Sequence, residues 1–246
     1  MSELTIDEQV KIAIQELLPG GSEPDKENYL PDGSQYKAPD HASIDLSMLI
    51  ERKAITPIDD GRYFHRLTKI GDQRGWQGGA YGIARIDRLI AGMPDPDAAY
   101  RSMVEWALNG MMGHLTDARK KFEQHKIHNS AEHALRIVIV SDHSTIPQGN
   151  AWVEHFLGHK MGAFGKRHDK TGLIDAIFVL KSPLYIFDED NSYWFKCLIK
   201  RRVVPVGERR IVDFAVDLHN TIAIRMGFDG KLSNLRKGRF QPLIVG

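Results

Sequence analysis

Two mainly apolar runs in the second half of the chain limit its fold more than any other feature. Residues 135–140 and 173–180 are short and rich in Ile, Val, Leu and Phe; the first contains a single Arg and the second a single Asp. Runs of this length that stay apolar at successive positions are typical of strands buried on both faces of a sheet. A helix predicted from Asn150 to about residue 164 would complete one strand–helix–strand unit between them.

The first half of the sequence has the spacing of helices. Thr5 and Glu8 have the form of a capping box before an apolar stripe that ends at Pro19. Asp95 followed by Pro96 predicts the start of a second amphipathic helix. The apolar stripe of that helix is predicted to face the core. A helix is also expected over 80–91, and a short one at 43–53.

Three segments near the end of the chain alternate between apolar and polar residues. Residues 193–204, 211–218 and 221–228 are therefore predicted as strands, joined by hairpin turns at Gly207-Glu208 and His219-Asn220. The fold class expected is α+β, with a helical N-terminal half packed on a mixed, mostly antiparallel C-terminal sheet that includes one βαβ unit. Three regions are expected: an acidic helix plus flexible arm at 1–40, a helical region at 41–130, and a mixed α/β sheet region with a basic tail at 131–246. The last two regions can form one domain.

Composition excludes several classes of protein. The 246 residues are 42% hydrophobic and 26% charged, as in ordinary globular chains. No segment reaches the roughly 18 apolar residues of a membrane span. A single cysteine, Cys197, excludes an internal disulfide and any Cys-based zinc or iron–sulfur site. The N-terminal residues resemble neither a secretory signal nor a transit peptide, so a cytosolic compartment is expected.

Charge is distributed unevenly along the chain. Residues 1–60 carry 5 Lys/Arg against 13 Asp/Glu, whereas residues 151–246 carry 16 against 10. Basic residues at the predicted strands and tail lie beside aromatic side chains, a combination that suits a phosphate backbone. A solvated outer face of the sheet explains the same pattern, and both interpretations stay open. The candidate nucleic-acid-binding residues are Lys196, Lys200, Arg201, Arg202, Arg209, Arg210, Arg236, Lys237 and Arg239.

A pair of histidines suggests a metal site. His155 and His159 are four residues apart, so a helix would place them on one face, and His143 could complete the site from a strand end. With Gly162 the spacing resembles that of zinc metalloproteases of the HExxHxxGxxH type. Phe156 stands where that family has its general-base glutamate, so protease activity is excluded. Local hydrogen bonding of the two imidazoles is the alternative.

A second candidate metal site is formed by Asp213, Asp217 and His219. On a strand, these alternate residues would share one face and could bind Mg²⁺ for phosphoryl chemistry. A solvated outer face accounts for the same pattern.

Three functions are compatible with these features. The leading hypothesis is a nucleic-acid-associated protein that binds through its basic C-terminal sheet and tail. The second is a metal-dependent phosphodiesterase or nuclease that uses a His/Asp cluster, with a divalent metal as cofactor. The third is a structural or assembly subunit of a viral or mobile-element complex, in which residues 20–40 mediate self-association or contact a protein partner. The sequence leaves open whether the protein is an enzyme.

Overall fold

A computed structural model of the chain describes residues 5–26, 28–55, 60–78, 86–142, 173–181, 195–200, 203–225 and 242–245. Within these ranges the helices are α1 (Ile6–Leu17), α2 (Asp60–Asp72), α3 (Ile86–Ala91), α4 (Pro96–Asn129) and α5 (Pro205–Arg225), with a short 3-10 helix at Pro24–Lys26. The strands are β1 (His41–Ala42), β2 (Met48–Ile55), β3 (Leu135–Asp142), β4 (Ala176–Lys181), β5 (Phe195–Lys200) and β6 (Leu243–Val245).

The strands form one mixed sheet in which each strand lies beside the next one in the chain, from β1 to β6. The pairs β1/β2 and β4/β5 are antiparallel, and the pairs β2/β3, β3/β4 and β5/β6 are parallel. The predicted α+β class is therefore confirmed, as are the two apolar strands, which pair in parallel. Among the described strand pairs, however, parallel pairing outnumbers antiparallel pairing, so the antiparallel majority that the sequence suggested is not observed.

Helices cover both faces of the sheet. Along β3, Ile137 and Ile139 belong to a core shared with α1 and α5, whereas Val138 and Val140 belong to a core shared with α4. This division follows from the two-residue period of a strand, which sends successive side chains to opposite faces. The N-terminal half also contributes β1 and β2 to the sheet, so the sheet extends beyond the C-terminal half.

The helix starts predicted from capping residues are confirmed. The Thr5 side chain accepts the Glu8 backbone N–H, and the Glu8 carboxylate accepts the Thr5 backbone N–H. Asp95 caps α4 by accepting the Ala98 N–H at 3.1 Å, and Pro96 opens the helix. The stripe on α4 is core, as expected, because Met103, Met111, Leu115, Ala118 and Phe122 are buried.

Two segments have a secondary structure different from the predicted one. Instead of a helix at 43–53, residues 48–55 form β2, whose Leu49 and Ile50 fill the cores on opposite faces of the sheet. Instead of two strands at 211–218 and 221–228, the chain forms α5, which Pro205 begins. The predicted hairpin turns at Gly207-Glu208 and His219-Asn220 lie inside that helix. Its buried residues recur at helical spacing: Ile211, Phe214, Leu218 and Ile222.

Two further helix predictions fall at the margins of the described ranges. The part of the predicted 80–91 helix that the structure describes is α3. The predicted helix from Asn150 to about residue 164 lies outside the described residues. None of the described helices has the length and apolar character needed to cross a membrane.

Candidate metal centre

Two carboxylates lie opposite each other where β1 meets β2. The antiparallel register pairs His41 with Ile50, so the preceding residue, Asp40, lies opposite Glu51. Asp40 is fixed there because its Oδ2 accepts the backbone N–H of Arg52 at 2.7 Å. Residues directly opposite on paired strands share a face. Asp40 and Glu51 therefore point to the same side of the sheet.

Lysines connect these carboxylates into a chain of alternating charges. The Lys121 Nζ on α4 lies 2.6 Å from Glu51 Oε1 and 3.4 Å from Asp40 Oδ1, so it contacts both carboxylates. On β2, the Lys53 Nζ lies 2.7 Å from the same Glu51 oxygen and 2.8 Å from Asp117 Oδ2. We call Asp40, Glu51, Lys53, Asp117 and Lys121 the β2–α4 cluster.

Glu51 is the most constrained member of the β2–α4 cluster. Its side chain is 0% exposed, and its Oε2 accepts no hydrogen bond from the described part of the chain. Burial, and next the charge of nearby Asp40, raise the pKa of Glu51 above its usual value despite the two ammonium groups. A buried carboxylate with an unsatisfied oxygen costs free energy, which a bound cation would offset.

At the other end of the cluster, the Asp117 carboxylate and the Lys53 ammonium are stabilised in their charged forms. Burial on its own would raise the pKa of Asp117, but hydrogen bonds from Lys53 and Lys37 outweigh it, and the pKa lies well below its usual range. Burial opposes the charge on Lys53, but the Asp117 and Glu51 carboxylates raise the pKa of this lysine overall. Burial and the neighbouring Lys53 lower the pKa of His114, one turn before Asp117 on α4. A fixed ammonium therefore lies beside the carboxylate pair.

The donor set fits a hard divalent cation such as Mg²⁺. In the residues that the structure describes, no three His, Cys, Asp or Glu side chains are grouped so that they alone could hold a metal ion. Proteins commonly bind Mg²⁺ through only one or two carboxylates and leave its remaining positions to water and substrate phosphate. The ammonium of Lys121 already lies within 3.4 Å of oxygens from both carboxylates. In the structure this ammonium therefore occupies the position between Asp40 and Glu51 that a cation would take.

The predicted basic surface is only partly within the described residues. Lys196 and Lys200 lie on β5, where they pair with Val179 and Val245. Arg209 and Arg210 are exposed on α5, a helix in a region where the sequence predicted strands and turns. The Arg210 guanidinium donates to the Ser47 hydroxyl at 2.6 Å, in the turn between β1 and β2. Outside the described residues lie Arg201, Arg202, Arg236, Lys237 and Arg239.

Neither predicted metal site coincides with the β2–α4 cluster. His143, His155 and His159 lie outside the described residues, so that site stays a prediction. Asp213, Asp217 and His219 are on α5, so the prediction that they share a strand face is wrong. His219 is buried, and its ring meets that of Phe195 edge-on at 5.5 Å.

The segment predicted as a flexible arm contacts α4 in the described residues. Asp40 pairs with Lys121, Lys37 pairs with Asp117 at 2.9 Å, and the Tyr36 hydroxyl accepts a hydrogen bond from Asn129. These contacts place Asp40 at the cluster. Self-association through residues 20–40 stays a prediction.

Sequence reasoning missed the β2–α4 cluster because it assigned residues 43–53 to a helix. The signal was present: Glu51 and Lys53 are charged residues at alternate positions in a segment that begins and ends with apolar side chains. On a strand they share a face, and Leu49 places that face against the α4 core. Asp40 lies before the turn that joins β1 to β2, and the antiparallel pairing of these strands brings it opposite Glu51.

The chain matches no protein-family model, and comparisons with curated proteins and with solved structures find no significant match. The chemistry of the β2–α4 cluster therefore carries the functional argument.

Proposed function

We propose that this protein is a divalent-metal-dependent phosphodiesterase that acts on a nucleic-acid backbone, with the β2–α4 cluster as its active site. One observation carries the proposal. Glu51 is completely buried, has an oxygen that accepts no hydrogen bond from the described residues, and lies opposite a second carboxylate, Asp40, with two lysines beside it. Two carboxylates next to a cationic side chain supply what phosphodiester hydrolysis requires: a metal site and a charge that stabilises the attacked phosphate.

The members of the cluster divide the work in this proposal. Asp40 and Glu51 would hold the cation in place of the Lys121 ammonium, and the cation would supply Lewis-acid chemistry to a phosphoryl oxygen and to a bound water. Lys53 is held by Asp117 at 2.8 Å, so its ammonium stays in place when the cation neutralises Glu51. It can then donate to a phosphate oxygen as negative charge develops there. In the reaction, water attacks phosphorus, the bond to the leaving oxygen breaks, and that oxygen departs with a proton.

A nucleic acid is the substrate we propose because the basic residues predicted from the sequence suit a polyanion. Arg209 and Arg210 keep exposed side chains on α5, although not on the predicted strand. A reducing cytosolic compartment is part of the proposal, since a chain with one cysteine, Cys197, forms no internal disulfide.

The experiment that tests this function is cleavage of fluorescently labelled single- and double-stranded DNA and RNA in Mg²⁺, Mn²⁺ or EDTA, analysed on denaturing gels. Cleavage is expected with either metal and not in EDTA. Asp40→Asn and Glu51→Gln should each slow cleavage at least about 100-fold, because each removes a metal ligand while keeping the shape of the side chain. Lys53→Met should slow cleavage while metal binding is retained.

Matched controls are provided by Asp213→Asn and Asp217→Asn, which remove carboxylates on α5 and should cleave as the wild type does. The proposal is overturned if cleavage persists in EDTA, or if Asp40→Asn and Glu51→Gln cleave at the wild-type rate. Binding of labelled nucleic acid without any cleavage in either metal would instead support the binding-protein hypothesis.

A further inference from the structure

A basic groove lies beside α2, at some distance from the β2–α4 cluster. One stripe of this helix presents four basic side chains at spacings of three or four residues. Together with Gly61 of α2 and Trp106 of α4, these side chains line an open cavity of about 480 Å³. The opposite side of α2 is apolar, since Leu67 and Ile70 are buried against α3 and α4. The groove residues are Arg62, His65, Arg66 and Lys69.

The cations of this groove have no anionic partner among the residues that the structure describes. Within the described part of the chain, none of the three charged side chains, Arg62, Arg66 and Lys69, forms an ion pair. The Nε of Arg66 is buried and makes no hydrogen bond to any described residue. Side chains three and four residues apart on a helix are neighbours, so their like charges repel. A bound anion would relieve this repulsion and satisfy the Arg66 donor.

Helix α4 connects the groove to the β2–α4 cluster. Trp106 and Asp117 are eleven residues apart on α4, which corresponds to three helical turns and about 16 Å on the same side of the helix. About five stacked nucleotides span this distance at 3.4 Å each. A strand whose phosphate is held at the cluster therefore reaches the groove.

We propose that the groove binds the phosphate backbone of a single-stranded segment of the nucleic-acid substrate, with a base stacked on Trp106. This inference rests on the proposed function, because it names a binding subsite for the same substrate. Arg62, Arg66 and Lys69 supply charge for the phosphates, and the half-buried indole of Trp106 supplies a surface for a base. An unpaired base is required because the faces of paired bases are already stacked within a duplex.

The test measures the binding of fluorescein-labelled oligo(dT) of 12 nucleotides by anisotropy, in EDTA and between 50 and 300 mM NaCl. The variant combines Arg62→Gln, Arg66→Gln and Lys69→Gln, which removes three charges and retains good helix formers. The matched control combines Lys26→Gln, Lys120→Gln and Arg225→Gln, which removes the same charge from exposed positions elsewhere.

The groove variant should bind at least tenfold more weakly than wild type at 100 mM NaCl. Its log–log salt slope should be smaller by about 2, because three phosphate contacts contribute about 0.7 each. The control should stay within about twofold of wild type. If the triple variant does not fold, Lys69→Gln alone, at an exposed position, should reduce the slope by about 0.7.

Equal affinity and slope for the groove variant and wild type would overturn the inference, as would an equal loss in the control. The two proposals fail separately. Binding in EDTA reports on the groove without any cleavage, whereas the effects of Asp40→Asn and Glu51→Gln on cleavage report on the cluster.

Discussion

His41 is predicted to make the stability of the fold depend steeply on pH. This residue begins β1, directly after Asp40, and its side chain is only 4% exposed. Burial, and next the charge of Arg52, lower the pKa of His41 from 6.5 to about 4. Asp40 opposes this shift, and the ammonium groups of Lys11 and Lys26 add to it.

The sign and size of the effect follow from this shift. Below pH 6.5 His41 is protonated in the unfolded chain. In the folded protein it becomes protonated only when the pH falls to about 4. Stability is therefore present at pH 7.5 and is lost as the pH falls. For pKa values of 6.5 and about 4, the loss from this residue is about 2 kcal/mol at pH 5 and about 3 kcal/mol at pH 4.

The assay is urea unfolding of wild type and His41→Gln at pH 7.5 and pH 5. The stability lost between these two values should be about 2 kcal/mol smaller in the variant, since glutamine does not titrate. Any constant cost of the substitution cancels in this difference. His133→Gln, at an exposed position, should follow the wild type. A loss equal in wild type and His41→Gln would refute the reasoning, as would an NMR titration that places the His41 pKa near 6.5.

Three further predictions concern the cluster and the core. Mn²⁺ at a hundredfold excess over its Kd should raise the Tm by about 5 °C, because such binding adds about 2.7 kcal/mol against an unfolding entropy of about 0.5 kcal/mol/K for this length. Calorimetry should show no such shift in Asp40→Asn. Since its pKa is raised, Glu51 stabilises the fold below its ordinary pKa of 4.5, and this contribution is lost as the pH rises. The stability of Glu51→Gln relative to wild type, measured in urea without metal, should therefore increase between pH 4.5 and 8, and a constant difference would contradict this. Phe122→Ala should cost about 3–5 kcal/mol in the same assay, because this fully buried ring packs in the core between α4 and the sheet. A cost below about 1 kcal/mol would show that the site is poorly packed.

The parts of the fold that local chemistry determines could be predicted from the sequence. Capping residues such as Thr5 and Asp95 bond to backbone groups three residues away, so the beginnings of α1 and α4 follow from short segments. The core strand β3 is apolar at four successive positions, residues 137–140, because helices cover both of its faces.

The errors arose where tertiary contacts decide between helix and strand. In α5, Phe214, Ala215 and Val216 are consecutive apolar residues flanked by Asp213 and Asp217, a pattern that both structures accommodate. Packing against α1 and β5 stabilises the helical conformation of this segment. In β2, Glu51 and Lys53 lower the strand propensity of the segment, and only the partners that α4 supplies make their burial tolerable. The candidate site was missed for this same reason.

The packing of α1 on α5 has a consequence for how the chain is made. About 190 residues separate the end of α1 from the start of α5, yet Ile14 and Ile222 belong to one core with Ile50 and Ile139. At 5–20 residues per second, a ribosome takes about 10–40 s to synthesise that interval. Until α5 emerges, the side of β2 and β3 that it will cover lacks its second helix. A nascent chain that stalls before Pro205 therefore exposes a broad apolar surface, and chaperones would bind it as an unfinished protein.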